Sequence, residues 1–387
     1  MDTLPDDVLI IISNYLSLDN FLNLSESCKH YNFLLNAIWY NKIGNKYRKK
    51  YKNNNDFKEI YKLKYGLKNI RSCFKLNKPN KFLIGKYNVL FEGKKVNKIP
   101  NSLCVFTSLT KIVLSHNRIS RVPNSLSQLT NLSELDLSYN PISYFSINLP
   151  KLIYLSLSSL NLKEFPNCIL SLTKLKILNM TNNNFRFEDQ EYKRLKYRYY
   201  DDRIIIPNDF FKLIQLKRLG LDSCNLEYIP DHISLLTKLS HLNLGDNNLK
   251  VLNKNISKLP LKYLNIRRNS LSSVPYCISQ LTNLKELNIS HNPIHYFPNI
   301  SNNLKMLKDI NLARCKLKNI PELPYNKFNY VDLRFNYFIP TDDIRSYNHK
   351  IDTCIIDEPE NINILIITVI ILFITIIVKY ILFSVIS

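Results

Sequence analysis

Glycine, methionine and tryptophan are scarce in this 387-residue chain, which holds six, three and one of them. Neither G-x-G-x-x-G nor G-x-x-x-x-G-K occurs, so no glycine-rich phosphate loop is expected. The seven histidines include no H-E-x-x-H motif, and the eight cysteines form no C-x-x-C pair. No nucleophile–base pair or metal cluster is evident either. We therefore predict that the protein is not an enzyme and binds no cofactor and no metal.

Acidic residues are also in the minority, with 31 Asp and Glu against 53 Lys and Arg, a net charge of +22. Most of the excess lies between Lys42 and Lys98, where eighteen basic residues face three acidic ones, a net +15. Three interpretations of this segment stay open: contact with nucleic-acid phosphates, contact with an anionic membrane surface, or a solvated linker. No nucleic-acid-binding module accompanies the charge, so we do not expect nucleic acid as a partner.

One pattern, L-x-x-L-x-L-x-x-N, repeats from about Lys86 to Pro340, mostly at 23-residue steps. Aligned on its last position, which we call the ladder position, it gives Lys94, Asn117, Asn140, Leu160, Asn183, Cys224, Asn247, Asn269, Asn292, Cys315 and Asn336. Six residues further on, a proline recurs at Pro100, Pro123, Pro166, Pro230, Pro275, Pro298 and Pro321. This pattern resembles the leucine-rich repeat in its intracellular, proline-containing form.

The resemblance implies an α/β fold, a leucine-rich-repeat solenoid with a curved parallel sheet. Within each strand the side chains alternate, so Leu135 and Leu137 should point inward while their neighbours, including Ser138, point outward. Stacked repeats share one core that no single repeat could bury. In this family the ladder Asn is buried and bonds the backbone of the turn. Leu160 should break that ladder, whereas Cys224 and Cys315 keep a small buried group in it.

Outward strand positions would form the concave face of such a solenoid. Both signs of charge occur there with aromatic residues between them, which fits a protein ligand better than an anion. We take ten of these residues as target-binding candidates: Tyr139, Arg218, Asp222, His241, Tyr263, Arg267, Arg268, His291, Arg314 and Arg334. An insertion near 186–205 delays the next proline to Pro207. It could be a contact surface or a tolerated loop.

The first forty-two residues carry a different signature. Leu4-Pro5 is followed by apolar residues at helical spacing, then by Cys28-Lys29 and Ile38-Trp39. This pattern resembles the F-box, a small all-α unit that docks on the Skp adaptor of a cullin–RING ubiquitin ligase. The resemblance implies adaptor contacts by Leu4, Pro5, Val8, Ile12, Leu16, Cys28 and Trp39. Alternatively, these helices only cap the N-terminal end of the solenoid.

The C-terminal tail is strongly apolar. Residues 364 to 378 contain no charge, and the run up to Ile386 is long enough to span a bilayer. Lys379 costs insertion energy unless it reaches the headgroups. The alternative is a buried β-rich end piece. We favour a single-pass transmembrane helix that anchors the tail, with the rest of the chain at the cytosolic face of the membrane.

The predicted organisation has five parts: 1–42 F-box, 43–85 basic helical connector, 86–340 about eleven repeats, 341–361 acidic end segment, and 362–386 tail anchor. Together they predict the substrate-recognition subunit of an SCF-type ubiquitin ligase, which binds the Skp adaptor and an unknown protein target. The alternative is a membrane-tethered leucine-rich-repeat scaffold that regulates a signalling protein, such as a small GTPase or a phosphatase, without a ligase link. The Lys-, Asn- and Ile-rich composition resembles that of giant-virus or amoebal proteins.

Overall fold

The computed structural model describes residues 88–187, 204–299, 303–319, 321–323, 328–337 and 351–355. The chain divides into two compact units between Asn183 and Asn184. The predictions for the F-box, the connector and the tail anchor lie outside the described residues. Among the residues that are described, no helix is long and apolar enough to cross a membrane.

The first unit is a parallel sheet with one short strand per repeat. Its strands are β1 (Asn88–Leu90), β2 (Lys111–Val113), β3 (Glu134–Asp136), β4 (Tyr154–Ser156) and β5 (Ile177–Asn179). Each strand pairs in parallel with the next, so corresponding residues of successive repeats lie side by side. The repeated sequence pattern therefore becomes a repeated strand position.

The second unit contains two parallel sheets. The smaller sheet pairs β6 (Phe185–Phe187) with β7 (Ile204–Ile206). The larger one contains β8 (Arg218–Gly220), β9 (His241–Asn243), β10 (Tyr263–Asn265), β11 (Glu286–Asn288), β12 (Asp309–Asn311), β13 (Phe328–Asp332) and β14 (Ile351–Ile355), paired in chain order. Strand β14 lies beyond residue 340, where the sequence pattern of the repeats ended, and it adds one more parallel strand to the sheet.

The core follows the predicted alternation. Leu135 and Leu137 are fully buried, and so are their counterparts Leu242 and Leu244 in the second unit. Ser138 was predicted to point outward, but it is buried, with only 7% of its surface exposed. Its hydroxyl donates to the Asp136 carboxylate at 2.6 Å, which satisfies the group without water.

In the described residues the chain returns between strands through five-residue 3-10 helices. They span Asn101–Val105, Asn124–Gln128, Asn167–Ser171, Asn208–Lys212, Asp231–Leu235, Lys254–Lys258 and Tyr276–Gln280. A proline precedes six of these seven helices, including Pro207 after the insertion, and its fixed φ suits a helix start. The remaining helix, Lys254–Lys258, is preceded by Asn253, whose side-chain oxygen accepts the Asn255 N–H at 2.8 Å.

The buried asparagines bond each repeat to the one before it. Asn292 Nδ2 donates to the Ile266 carbonyl at 3.0 Å, and its Oδ1 accepts the Leu271 N–H at 3.1 Å. The same pair of contacts recurs at the other regular positions, Asn117, Asn140, Asn247, Asn269 and Asn336. Cys315 supplies a weaker version, because its Sγ lies 3.4 Å from the Ile289 carbonyl.

The break at Leu160 has a visible consequence one repeat later. Asn183 keeps its donor contact to the Leu157 carbonyl at 3.0 Å, across to the preceding repeat. Its buried Oδ1, in contrast, has no hydrogen-bond partner among the described residues. Asn183 therefore makes one of the two hydrogen bonds to the preceding repeat that a regular ladder asparagine makes.

The insertion begins and ends in a strand pair. Phe185 and Phe187 of β6 lie beside Ile204 and Ile206 of β7, and residues 188–203 lie outside the described part of the chain. Phe187 is buried, and its carbonyl accepts the Tyr228 hydroxyl at 2.8 Å. Both ends of the insertion are thus fixed to the core of the second unit.

Candidate functional site

The solvent side of the larger sheet in the second unit is organised in rows, with one residue from each repeat. The start row is the first strand residue of β8 to β12 and the third of β13: Arg218, His241, Tyr263, Glu286, Asp309 and Tyr330. The amide row lies two residues further on: Asn243, Asn265, Asn288, Asn311 and Asp332. The end row comes immediately before the ladder position: Ser223, Asp246, Arg268, His291, Arg314 and Phe335.

The start row carries aromatic rings between charged side chains. His241 and Tyr263 stack with ring centroids 6.0 Å apart. Burial lowers the pKa of His241, and the nearby charges of Arg218 and Lys262 lower it further, so the neutral ring is favoured at neutral pH. Burial also raises the pKa of Tyr263. These two rings form a half-buried surface that is largely uncharged.

The amide row serves the fold. Asn265 Oδ1 accepts the Arg267 N–H and Asn288 Oδ1 accepts the Ser290 N–H, both at 3.1 Å. The corresponding contacts at Asn243, Asn311 and Asp332 are 3.2, 3.0 and 3.2 Å long. Each one closes a turn in which an Asn or Asp side chain bonds the backbone two residues later. The sequence analysis did not identify this row, although each member precedes a ladder position by four residues.

The end row has a left-handed backbone in every repeat. The φ angles of Arg268, His291, Arg314 and Phe335 are +46°, +57°, +54° and +60°. This conformation suits glycine and costs other residues free energy. Residues with long side chains nevertheless occupy it, and they point away from the core, since Arg268, Arg314 and Phe335 are exposed.

Positive charge collects at the end row. Arg267 Nε lies 3.1 Å from Asp246 Oδ2, and Arg268 Nη1 lies 3.5 Å from Asp246 Oδ1. The Arg314 guanidinium stands over the Phe335 ring, 4.1 Å from its centroid. Burial lowers the pKa of His291, and the charges of Arg268, Arg314 and Arg267 lower it further. Three positive charges and the negative charge of Asp246 therefore act on His291 at the centre of the row.

A buried carboxylate holds the last arginine of the face. The Asp332 side chain is 2% exposed, and its two oxygens accept from Arg334 Nε at 3.0 Å and Nη2 at 2.9 Å. The Tyr330 hydroxyl donates to the same carboxylate at 3.1 Å. Burial alone would raise the pKa of Asp332, but its hydrogen bonds to Arg334 and Tyr330 outweigh burial and lower that pKa.

The corresponding face of the first unit has a charge pair and a ring stack between neighbouring repeats. Lys111 Nζ contacts Glu134 Oε2 at 2.6 Å across β2 and β3, and this hydrogen bond raises the pKa of Lys111. His116 and Tyr139 stack with centroids 4.1 Å apart. Two residues before the ladder position, this unit has small residues with a hydroxyl group: Ser115, Ser138 and Ser158. One charge pair and one ring pair thus connect neighbouring repeats of this unit.

The structure brings most target-binding candidates together. Of the ten, Tyr139 lies in the first unit and the other nine in the second, where Arg267, Arg268, His291 and Arg314 are neighbours. Asp246 and Phe335, which the candidate set did not include, hold three of these arginines. All seven adaptor-binding candidates lie outside the described residues. In the part of the chain that is described, no three potential metal ligands cluster.

A second concave surface lies beside the 3-10 helices of two repeats. This groove of about 540 Å³ is lined by residues that include Lys250, Val251, Lys254, Lys258 and Tyr276. Val251 and Tyr276 are 70% and 79% exposed. Cys277, which also lines the groove, is buried, and burial raises its thiol pKa to about 11. This thiol therefore stays protonated at neutral pH.

Two leucine-rich-repeat family models match this chain: leucine-rich repeats in two copies at residues 107–148, and a leucine-rich repeat at residues 258–294. Neither match touches residues 1–42. The rat volume-regulated anion channel subunit LRRC8A is 36% identical over 85 residues, and the human subunit LRRC8B is 34% identical over 79. These matches cover 21% and 20% of this chain, which spans about 10% of the length of each relative.

Solved structures show the same fold. A leucine-rich-repeat protein of Leptospira interrogans is 26% identical with a TM-score of 0.51, over 67% of this chain and 75% of that one. The leucine-rich-repeat ectodomain of the Arabidopsis thaliana receptor kinase GASSHO1/SCHENGEN3 is 23% identical with a TM-score of 0.51, over 70% and 32%. The chain thus contains leucine-rich repeats, stacked through short parallel strands, an architecture suited to protein–protein interaction.

Proposed function

We propose that this protein is the substrate-recognition subunit of an SCF-type ubiquitin ligase. In this proposal, residues 1–42 bind the Skp adaptor, the rows of the second unit bind a target protein, and residues 362–386 hold the chain at the cytosolic face of a membrane. In this role the protein needs no catalytic residue of its own. It acts by raising the local concentration of the target near the ubiquitin-charged enzyme.

The observation that carries the target-binding role is the exposed end row. Arginine and aromatic side chains dominate binding energy in many protein interfaces, and here they stand side by side on a rigid sheet. The start row adds the half-buried side chains of Tyr263 and Tyr330, each five residues before a residue of the end row. A partner could therefore bury aromatic area and pair charges on one continuous face.

The adaptor role is supported by the F-box pattern of the sequence, and it is tested with the full-length chain in detergent. We expect the unmutated chain to capture purified Skp adaptor and a Leu4→Ala/Pro5→Ala variant to capture at least tenfold less, because both residues are expected in the contact. The matched control is Leu235→Ala/Val251→Ala, which removes two exposed apolar side chains from the repeats and should leave capture unchanged.

Failure of the unmutated chain to capture the adaptor would contradict the ligase link. It would favour the alternative function, a membrane-tethered leucine-rich-repeat scaffold that regulates a signalling protein. That scaffold would use the same rows and the same tail. The tail has its own test: a variant lacking residues 362–386 should move from the membrane fraction to the soluble fraction, and an unchanged distribution would contradict the anchor.

A further inference from the structure

We propose that the end row of the second unit is a subsite for one anionic side chain of the bound protein, either a carboxylate or a phosphate ester. This inference rests on the proposed target-binding role of the face and specifies the chemistry that the face recognises. It commits to a protein partner with a single anionic group at this position.

The first argument is the placement of the basic groups. Arg268, His291 and Arg314 come from three successive repeats, and backbone hydrogen bonds fix their register: the Arg268 N–H to the Ser290 carbonyl and the His291 N–H to the Ala313 carbonyl, both at 2.8 Å. Neighbouring strands are about 4.8 Å apart, so the two arginines stand about 10 Å apart with the imidazole between them. The positive charges of both arginines act on His291, while the Arg268 guanidinium lies against Asp246 and the Arg314 guanidinium against Phe335. In the proposed complex, an anion above His291 draws both guanidinium groups towards it.

The second argument is the space beside His291. The residues that precede the end row in successive repeats are Arg267, Ser290, Ala313 and Arg334. Ser290 and Ala313 are small and buried, 3% and 8% exposed, so they form a low floor. Arg267 and Arg334 border that floor on both sides. A side chain from a partner can therefore approach the sheet between long basic residues.

The third argument is the distribution of carboxylates. Asp246 contacts Arg267 and Arg268 at one side of the floor, and Asp332 holds Arg334 at the other. Arg314 stacks on Phe335, and no carboxylate among the described residues forms an ion pair with it. A guanidinium stacked on a ring keeps its in-plane N–H donors available for an anion. Burial lowers the pKa of His291 most, and the charges of Arg268, Arg314 and Arg267 lower it further, so these charges act at the position between the two arginines.

The start row limits the size of the anion. Glu286 and Asp309 lie side by side on β11 and β12, in the same repeats as His291 and Arg314. These carboxylates would repel a polyanion that extended across the sheet from the end row. A single acidic group on an otherwise ordinary peptide avoids that repulsion. The face therefore fits a protein segment with one acidic group at this position better than a nucleic acid.

The test uses three immobilised libraries of heptapeptides with randomised flanks and a fixed central residue, which is glutamate, phosphoserine or glutamine. Binding of the full-length chain in detergent is measured by biolayer interferometry. We expect more binding to the glutamate library, the phosphoserine library or both than to the glutamine library. The preferred library identifies the source of the anion. In the Arg268→Gln/Arg314→Gln variant, the excess binding over the glutamine library should be about tenfold smaller than in the unmutated chain, because charge-assisted hydrogen bonds are lost.

The matched control is Lys254→Gln/Lys258→Gln, which removes the same charge from the groove beside the 3-10 helices. It should keep the excess. An excess lost equally in both variants would mean non-specific attraction to a basic protein, and an excess kept in the arginine variant, or no excess at all, would equally overturn the subsite. Adaptor capture measured on the same samples reports the proposed function separately, so its failure is distinguishable from failure of the subsite.

Discussion

The end rows of the two units differ in chemistry on a shared backbone. The first unit carries Gly93, His116, Tyr139, Ser159 and Asn182, whereas the second carries Ser223, Asp246, Arg268, His291, Arg314 and Phe335. Both sets have positive φ angles, and in both units the repeats bury leucines at equivalent positions. Inward residues are constrained by packing, and outward residues are not, so the face can diverge while the fold stays constant. The difference directs the search for a partner to the second unit.

The largest expected effect tests whether the cores are equivalent. Leu135→Ala in the first unit and Leu264→Ala in the second should each lower the free energy of unfolding by about 2–5 kcal/mol, because both side chains are fully buried in the middle of a strand. Urea unfolding followed by circular dichroism measures this. Costs that differ by more than about 2 kcal/mol would show that the units differ in their cores as well as in their faces.

The next effect compares the intact and the interrupted ladder. Asn292→Ala removes contacts to the Ile266 carbonyl and the Leu271 N–H, and it should cost about 3 kcal/mol in urea unfolding. Asn183→Ala should cost about 1 kcal/mol less, because the Asn183 oxygen has no partner to lose among the described residues. Equal costs would mean that the interruption at Leu160 leaves the ladder unweakened.

Residues that repeat in the sequence were the easiest to predict. The 23-residue step identified the strands, the buried leucines and the ladder, and the LRR matches at 107–148 and 258–294 confirm the repeats. The 3-10 helices were missed, because five-residue segments have too few turns to show a period. Strand β14 was missed because its sequence departs from the repeat pattern.

The candidate site was predictable by residue type but not by arrangement. The sequence placed Arg267, Arg268 and Arg314 on the outward face. It showed charges of both signs on that face, without a separate positive region. The alignment on the ladder position already puts Arg268 and Arg314 at the same place in their repeats, but only the structure shows that Asp246 contacts Arg267 and Arg268. Such contacts depend on side-chain rotamers, which a repeat pattern does not specify.

A pH-dependent effect should distinguish the faces of the two units. The pKa of Asp332 is below its ordinary value of 3.8, so its contribution to stability is present above that value and is lost as the pH falls through the folded-state pKa. Asp332→Asn should lower the free energy of unfolding by about 2 kcal/mol at pH 7, because it removes a charge-assisted contact to Arg334. Unfolding measured from pH 7 to pH 2 should show this difference shrinking at the acid end.

The control for this prediction is Asp136→Asn, at the equivalent strand position of the first unit. Asp136 accepts from the Ser138 N–H and hydroxyl, and an asparagine oxygen can accept the same two bonds, as Asn179 does from Thr181. Its cost should therefore be below about 1 kcal/mol. A pH-independent cost at Asp332 would contradict the role assigned to its charge.

The smallest effect concerns the backbone of the end row. Arg268→Gly and Arg268→Ala both remove the side chain, but glycine adopts the observed φ of +46° without strain. The glycine variant should be more stable by about 1 kcal/mol in urea unfolding. At Arg267, which is outside the left-handed region, alanine should be the more stable of the two. If Tyr139 in the first unit behaves like Arg268, the strain belongs to the repeat itself. In that case a glycine such as Gly93, which has a φ of +64°, avoids the backbone strain. The larger end-row side chains then have a role in the contacts that they make.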